Sequence, residues 1–276
     1  MSSWLIDPQY AVAGFLVGAL VGVTGVGGGS LMTPILIVLF GVSPATAVGT
    51  DLLFAAATKT VGSLVHGVNR TIDWRIVRRL AAGSIPATLL ALAVLSWLLK
   101  TTGGARHIIT GFLAVALFVT AAALIARNRI SALYARRLSG LDDRKIAMLT
   151  IATGAVLGVF VTFSSVGAGA IGVVALVLLY PQVATVRIVG SDIAHAVPLT
   201  LIAGLGHGLV GAIDVHTLVS LLAGSLPGIF AGSVVSARVP DVALRYILAA
   251  VLVSVSVKLT MDMNVLPTLA VNQPAP

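Results

Sequence analysis

The 276-residue chain contains no cysteine, which excludes disulfides, thiolate metal sites, covalent haem attachment and cysteine nucleophiles, and leaves the redox compartment unreadable. Charge is almost as scarce. Only 9% of residues are Asp, Glu, Lys or Arg, against about 25% in an ordinary soluble domain, while 58% are apolar. A core shielded from water could not absorb so much apolar surface in a chain this short. The solvent for this sequence is the lipid bilayer. Residues 1–9 carry Asp7 and no Lys or Arg, so they lack the basic region of a secretory signal, and the first apolar segment is expected to be retained. No His or carboxylate cluster has metal-ligand spacing, and Gly29 is followed by Ser30 and Leu31 where a Walker loop needs Lys and Ser or Thr. No cofactor and no metal are expected.

Apolar stretches cover residues 10–26, 31–40, 44–65, 80–99, 108–126, 146–163, 170–179, 183–206, 218–237 and 246–257. Most can cross a hydrocarbon core of about 30 Å at about 1.5 Å per residue, but 31–40 and 170–179 reach about half way. These two short segments occupy corresponding places in an internal repeat. At an offset of 140, Gly14, Gly18, Val26, Gly27 and Gly29 fall on Gly154, Gly158, Val166, Gly167 and Gly169. At an offset of 141, Gly49, Asp51, His66, Asp73, Gly83, Ser84 and Pro86 fall on Gly190, Asp192, His207, Asp214, Gly224, Ser225 and Pro227. Matches of Gly alone could arise by chance; Asp, His and Pro at a common offset argue against that.

The repeat divides the chain into a first membrane unit at 10–126, a basic connector at 127–145 and a second unit at 146–261. A net charge of +8 would suggest nucleic acid in a soluble protein. Here the charge sits in connectors: Arg127, Arg129, Arg136, Arg137, Arg144 and Lys145 in one, and Arg70, Arg75, Arg78 and Arg79 in another. The positive-inside rule makes both cytoplasmic and leaves no call for nucleic acid. The equivalent loop of the second unit, 210–217, has no Lys or Arg and reads as external. Equivalent loops on opposite faces mean inverted copies. The fold class expected is therefore an all-α polytopic membrane protein of two inverted-topology repeats, each with a Gly-rich break and a short re-entrant half-helix followed by three spans. Five crossings per copy is the competing count. Inverted halves are the pattern of secondary transporters that alternate access around a midplane site.

Thr24, Gly27, Gly28, Gly29 and Ser30 interrupt the first unit, and Ser164, Ser165, Gly167, Ala168 and Gly169 interrupt the second at matched depth. Such a break frees backbone N–H groups at the start of a half-helix, where the helix dipole also favours an anion. Close helix packing by small residues is the plainer use of the same residue types. Asp51 and Asp192 stand in matched Gly-Thr-Asp and Gly-Ser-Asp triplets and are candidates for proton coupling or gating, with helix capping as the alternative. Lys59 follows Asp51 by eight residues on roughly the same helical face, so it should face an aqueous cavity or pair with Asp51 or a substrate. Its counterpart is Thr200. His66, His207 and His195 are candidates for relay or gating, an interfacial hydrogen bond being the commoner role for His66 and His207. Asp73 and Asp214 read as caps. Asp192, His195 and Ser164 or Ser165 could compose an intramembrane hydrolase, but His195 has no His partner in the first copy.

The run from Gly27 to Pro34, then Ala47 to Thr50, then Gly67 with Ile72-Asp-Trp-Arg75 and the small residues through Gly83 and Pro86, resembles the TauE/SafE sulfite exporter family of membrane permeases. The weaker second copy fits that family's duplicated architecture. The resemblance covers about residues 14–237. It implies a multi-pass protein of the cell membrane, the inner membrane in bacteria, that moves small sulfur-containing anions such as sulfite or sulfoacetate, coupled to protons. The implied partners are a small anionic substrate, the lipid bilayer and protons; a homo-oligomer is compatible. The chain departs from the family's pattern where an uncharged Ser or Asn is expected after Gly49-Thr50 and Gly190-Ser191, since both positions are Asp. Those acids either repel an anion or supply the coupling proton. An anion channel and an intramembrane hydrolase are the alternatives from other classes.

Overall fold

The computed structural model describes residues 6–24, 29–101, 105–138, 142–235, 246 and 248–261. In lipid a chain must satisfy its backbone polar groups internally, and every regular element among these residues is a helix. They are α1 (Pro8–Thr24), α2 (Gly29–Val38), α3 (Pro44–Val68), α4 (Trp74–Thr101), α5 (Ala105–Leu138), α6 (Asp143–Ser164), α7 (Ala170–Leu179), α8 (Thr185–Leu209), α9 (Val215–Val235) and α10 (Leu248–Met261). Five of them are long and apolar enough to cross a membrane: α4, α5 over Ile108–Ala126, α6, α8, and α9 over Val215–Gly232. Leu16, Leu90, Phe118 and Phe230 are 59%, 69%, 57% and 75% exposed, a surface that suits hydrocarbon and not water. The chain is a multi-pass membrane protein.

The two short apolar segments are the ten-residue helices α2 and α7, each about 15 Å long. Residues 127–138 of the basic connector are helical and extend α5 to Leu138. Arg, Ala and Leu are strong helix formers, and nothing before Ser139-Gly140 stops the helix.

Small residues let long helices lie backbone to backbone. Gly14 and Gly18 of α1 press on the Leu221 and Ser225 carbonyls of α9, while Gly224, Gly228 and Gly232 press back on Ala11, Phe15 and Ala19. The two helices therefore run parallel. In the same way Gly154 and Gly158 of α6 meet Leu80 and Ser84 of α4, and Gly83 meets Ile151, so α4 and α6 are also parallel. Between these pairs α3 and α8 cross antiparallel, with Gly49 against His207, Gly62 against Ile193 and Gly190 against His66. Several of these contacts have an exchanged equivalent under the sequence repeat: Gly14 on Leu221 becomes Gly154 on Leu80, and Gly49 on Ala212 becomes Gly190 on Thr71.

One end of the molecule gathers the starts of α4, α6 and α8. There the Asp143 carboxylate accepts from Arg75 and from Arg79 Nη2 (2.7 Å), Arg79 Nη1 donates to the Tyr180 hydroxyl at 3.1 Å, and Arg187 pairs with Asp73 at 3.6 Å. The loop after α3 and the start of α6 thus share a face. At the other end Asp7 N–H donates to Ser220 Oγ at 2.9 Å, joining the chain before α1 to α9.

Candidate functional site

The break between α6 and α7 is built from residues that tolerate a left-handed backbone. Ser165 ends α6 at φ 57°, and Gly167 and Gly169 follow at φ 119° and 112°, which a residue with a Cβ adopts only under strain. Of the first break, Gly27 and Gly28 lie outside the described residues; Thr24 ends α1 and Gly29 and Ser30 open α2, with nothing described of the Thr24 and Ser30 side chains.

Asp51 and Asp192 are the eighth residues of α3 and α8, two turns inside each helix, so neither caps its own helix. Ser43 does that for α3, its hydroxyl accepting from Thr46 N–H. The carboxylates reach sideways instead, each to the short helix that precedes it. Asp51 Oδ2 accepts from the backbone N–H of Thr33 (3.1 Å) and from its hydroxyl, within α2. Asp192 stands against α7, where Gly172 leaves room for it, since a Cβ there would collide with Asp192 Oδ1. The first turn of α7 is therefore faced by a carboxyl group of the protein itself.

Lys59 lies within electrostatic reach of both acids, without an ion pair to either among the described residues. It is 5% exposed, its Nζ donates to the Ala168 carbonyl at 3.4 Å, and both carboxylates act on its charge. Ala168 thus turns its carbonyl, an acceptor, to the lysine, where the sequence suggests N–H donors for an anion. Asp51 Oδ1, Asp192 Oδ1 and Ser165 Oγ are buried with no hydrogen-bond partner among the described residues. A membrane interior that leaves two acceptors and a hydroxyl unmet around one ammonium has room in its chemistry for a further polar group. A cavity of about 170 Å³ between α1, α3, α8 and α9 reaches this place, lined by Lys59, Thr58, Gly62 and His66 on α3, Val21 on α1 and Ile229 on α9.

The Gly-Thr-Asp and Gly-Ser-Asp triplets now read position by position. Gly49 and Gly190 allow close approach to the other copy's loop, at Ala212 and Thr71. The middle hydroxyls pin that loop: Thr50 Oγ1 accepts from Asp214 N–H (3.1 Å) and Ser191 Oγ from Asp73 N–H (2.8 Å). The aspartates point to the site. Thr33, Thr50, Ser191 and Gly172 were not singled out by sequence, although the repeated triplet carried the signal for two of them.

Asp73 and Asp214 cap, with Asp73 Oδ1 taking Arg75 N–H and Asp214 Oδ1 taking Thr217 N–H, both at 3.0 Å. Partial burial works the other way, but the amide and hydroxyl of Thr217 hold the Asp214 carboxyl below the ordinary carboxylate range. His66 Nδ1 bonds Thr71 Oγ1 at 2.7 Å, and His207 Nε2 bonds the Thr162 carbonyl at 2.9 Å. His195 Nε2 bonds Ser84 Oγ at 2.8 Å. Ser164 Oγ instead donates to Phe160 O and Ser165 Oγ has no hydrogen-bond partner among the described residues, so neither serine is joined to His195 and Asp192 as a nucleophile and base.

Ionisable groups buried among membrane-length helices and reached by a cavity define a polytopic membrane protein with a polar site in its interior. The chain belongs to the TauE/SafE family: residues 10–259 match the family described as sulfite exporter TauE/SafE. It is 38% identical over 249 residues to the probable membrane transporter protein YjnA of Bacillus subtilis (strain 168), covering 89% of this chain and 96% of that protein. It is also similar to YdhB of the same organism, another probable membrane transporter, at 26% over 237 residues, or 84% of this chain and 91% of YdhB. No solved structure matches the chain. The chain is a membrane transporter and not an enzyme.

Proposed function

We propose that the protein exports small sulfur-containing anions, such as sulfite or sulfoacetate, coupled to protons, by alternating access between two inverted repeats. One observation carries the reading: among the described residues one buried lysine, Lys59, lies within electrostatic reach of two buried, matched acids, Asp51 bonded to α2 and Asp192 packed against α7, in an otherwise apolar interior. With both acids ionised the cluster carries a net negative charge and repels an anion. A proton on either acid balances Lys59, and an anion arriving at the ammonium then meets no uncompensated negative charge. Substrate and proton enter as a pair because the low-dielectric site tolerates neither alone.

The exchanged contacts between copies, the parallel α1/α9 and α4/α6 pairs and the antiparallel α3 and α8 support an inverted relation. They put the loop after α3 and the loop after α8 at opposite ends, and the former carries the arginines, so we place it in the cytoplasm with the α5–α6 connector. The lengths of α2 and α7 support half-crossings, so that α1–α2 and α6–α7 form re-entrant hairpins.

The test is flux in proteoliposomes with an imposed pH gradient, offering sulfite, thiosulfate, sulfoacetate and acetate. Saturable, gradient-driven movement of the sulfur anions in preference to acetate is expected. Ohmic current without saturation would make the protein a channel, and gradient-independent flux would remove the proton from the cycle.

A further inference from the structure

The open cavity has an equivalent elsewhere in the fold, and that equivalent is closed. Under the internal repeat its lining residues Val21, Gly62, His66 and Ile229 fall on Val161, Ala203, His207 and Thr88. All four of these are 0% exposed. They lie where α8 meets α4 and α6, as the open set lies where α3 meets α1 and α9. Two contacts seal the closed place. His207 Nε2 crosses from α8 to the Thr162 carbonyl of α6, whereas His66 bonds only Thr71 in its own loop. Leu92 of α4 seats on Gly206, one turn of α8 from Ala203 and beside His207.

We propose that the α8 face against α4 and α6 is the second access route to Lys59, lined by Thr88, Val161, Ala203 and His207 and shut by the His207–Thr162 bond and the Leu92 plug. This rests on the transporter reading. The two routes point to opposite ends, because α3 and α8 are antiparallel and each route follows the C-terminal half of one of them. The cavity now open leads from the site toward the basic loops; the shut one leads toward the turn before α9. When one opens, the other takes the packing its repeat partner shows here.

The absence of native cysteine allows a direct test with the full chain in membranes. In a Gly62→Cys/Ala203→Cys variant, a bulky impermeant maleimide applied outside intact cells should react slowly at position 203. Once attached it wedges that route open, so a second maleimide applied at the cytoplasmic face should then react at position 62 at least about tenfold more slowly than in cells spared the first. His207→Leu or Leu92→Ala should speed the first step about three- to tenfold, the scale of one lost hydrogen bond or contact. Should the double variant fail to fold, Ile202→Cys replaces Ala203→Cys, since its repeat partner Val61 also lines the open cavity. Unchanged reactivity at position 62 after modification, or no external reactivity in either cysteine pair, overturns the proposal. Labelling needs no substrate, so reciprocal labelling with no anion flux would sink the substrate assignment alone.

Discussion

At the residue scale the cost of burying charge decides which side chains matter. Lys59 has one long hydrogen bond and two acidic groups within electrostatic reach, and nothing in its helix requires a lysine, since Thr200 serves at the equivalent place by bonding Ala196 O. Lys59→Thr would make the two copies alike there. It should leave the fold intact and weaken anion binding about 10- to 100-fold, because a hydrogen bond to a charged group contributes about 1.5–3 kcal/mol. Substrate-dependent protection against thermal unfolding measures this, and unaltered protection would show that the lysine is only a counter-ion to the acids. Asp51→Asn and Asp192→Asn test the acids. An amide can still accept from Thr33 at position 51 and fits the space that Gly172 leaves at position 192, so both variants should fold. It cannot titrate, so at least one should exchange anion at equal pH while losing its response to a pH gradient. Wild-type response in both, and in the double variant, would leave the acids as structural braces of α2 and α7.

At the element scale glycine replaces the hydrophobic effect, which does little to bind one helix to another in lipid. The α1/α9 and α4/α6 pairs pack at backbone distance because Gly14, Gly18, Gly83, Gly154, Gly158 and Gly224 have no Cβ to hold them apart. Gly224→Val would drive a methyl into the Ala11 carbonyl, and overpacking of this kind costs about 1–3 kcal/mol or more. Its melting temperature in detergent should fall by several degrees. Gly62→Ala is the control, because its added methyl meets only Ile193 Cγ2 at 3.5 Å, and its melting temperature should stay at that of the parent. Equal losses in both would mean that the stripe does not hold the pairs together.

At the scale of the whole molecule the charged loops set orientation, and two exposed positions report it. Val215 opens α9 and is 65% exposed; Asp142 precedes α6 and makes no capping bond. Val215→Cys should react with an impermeant thiol reagent outside intact cells, and Asp142→Cys only after the membrane is opened. Reaction of both from one side would make the copies parallel and remove the inverted arrangement. The Asp143 carboxylate between Arg75 and Arg79 should matter less than its geometry suggests, because it is exposed. Asp143→Asn is expected to cost little, read as a small change in melting temperature that vanishes at high salt.

Much of this was written in the sequence because the relevant physics is local or periodic. Scarce charge and long apolar runs dictate helices in lipid, and a common offset of Gly, Asp, His and Pro exposes the repeat without any relative to compare. The Gly-rich break, the half-length α2 and α7 and the caps Asp73 and Asp214 depend on residues near one another in the chain, so their positions were legible. Partners across the copies were not. That Asp51 and Asp192 sit two turns inside their helices and reach to α2 and α7, that Thr50 and Ser191 pin the opposite loops, and that Ala168 offers Lys59 a carbonyl all depend on how α3 and α8 cross. The sequence treats the copies as equals; only the packed structure leaves the route beside His66 open and closes the one beside His207, because His207 bonds across to Thr162 of α6 whereas His66 bonds within its own loop.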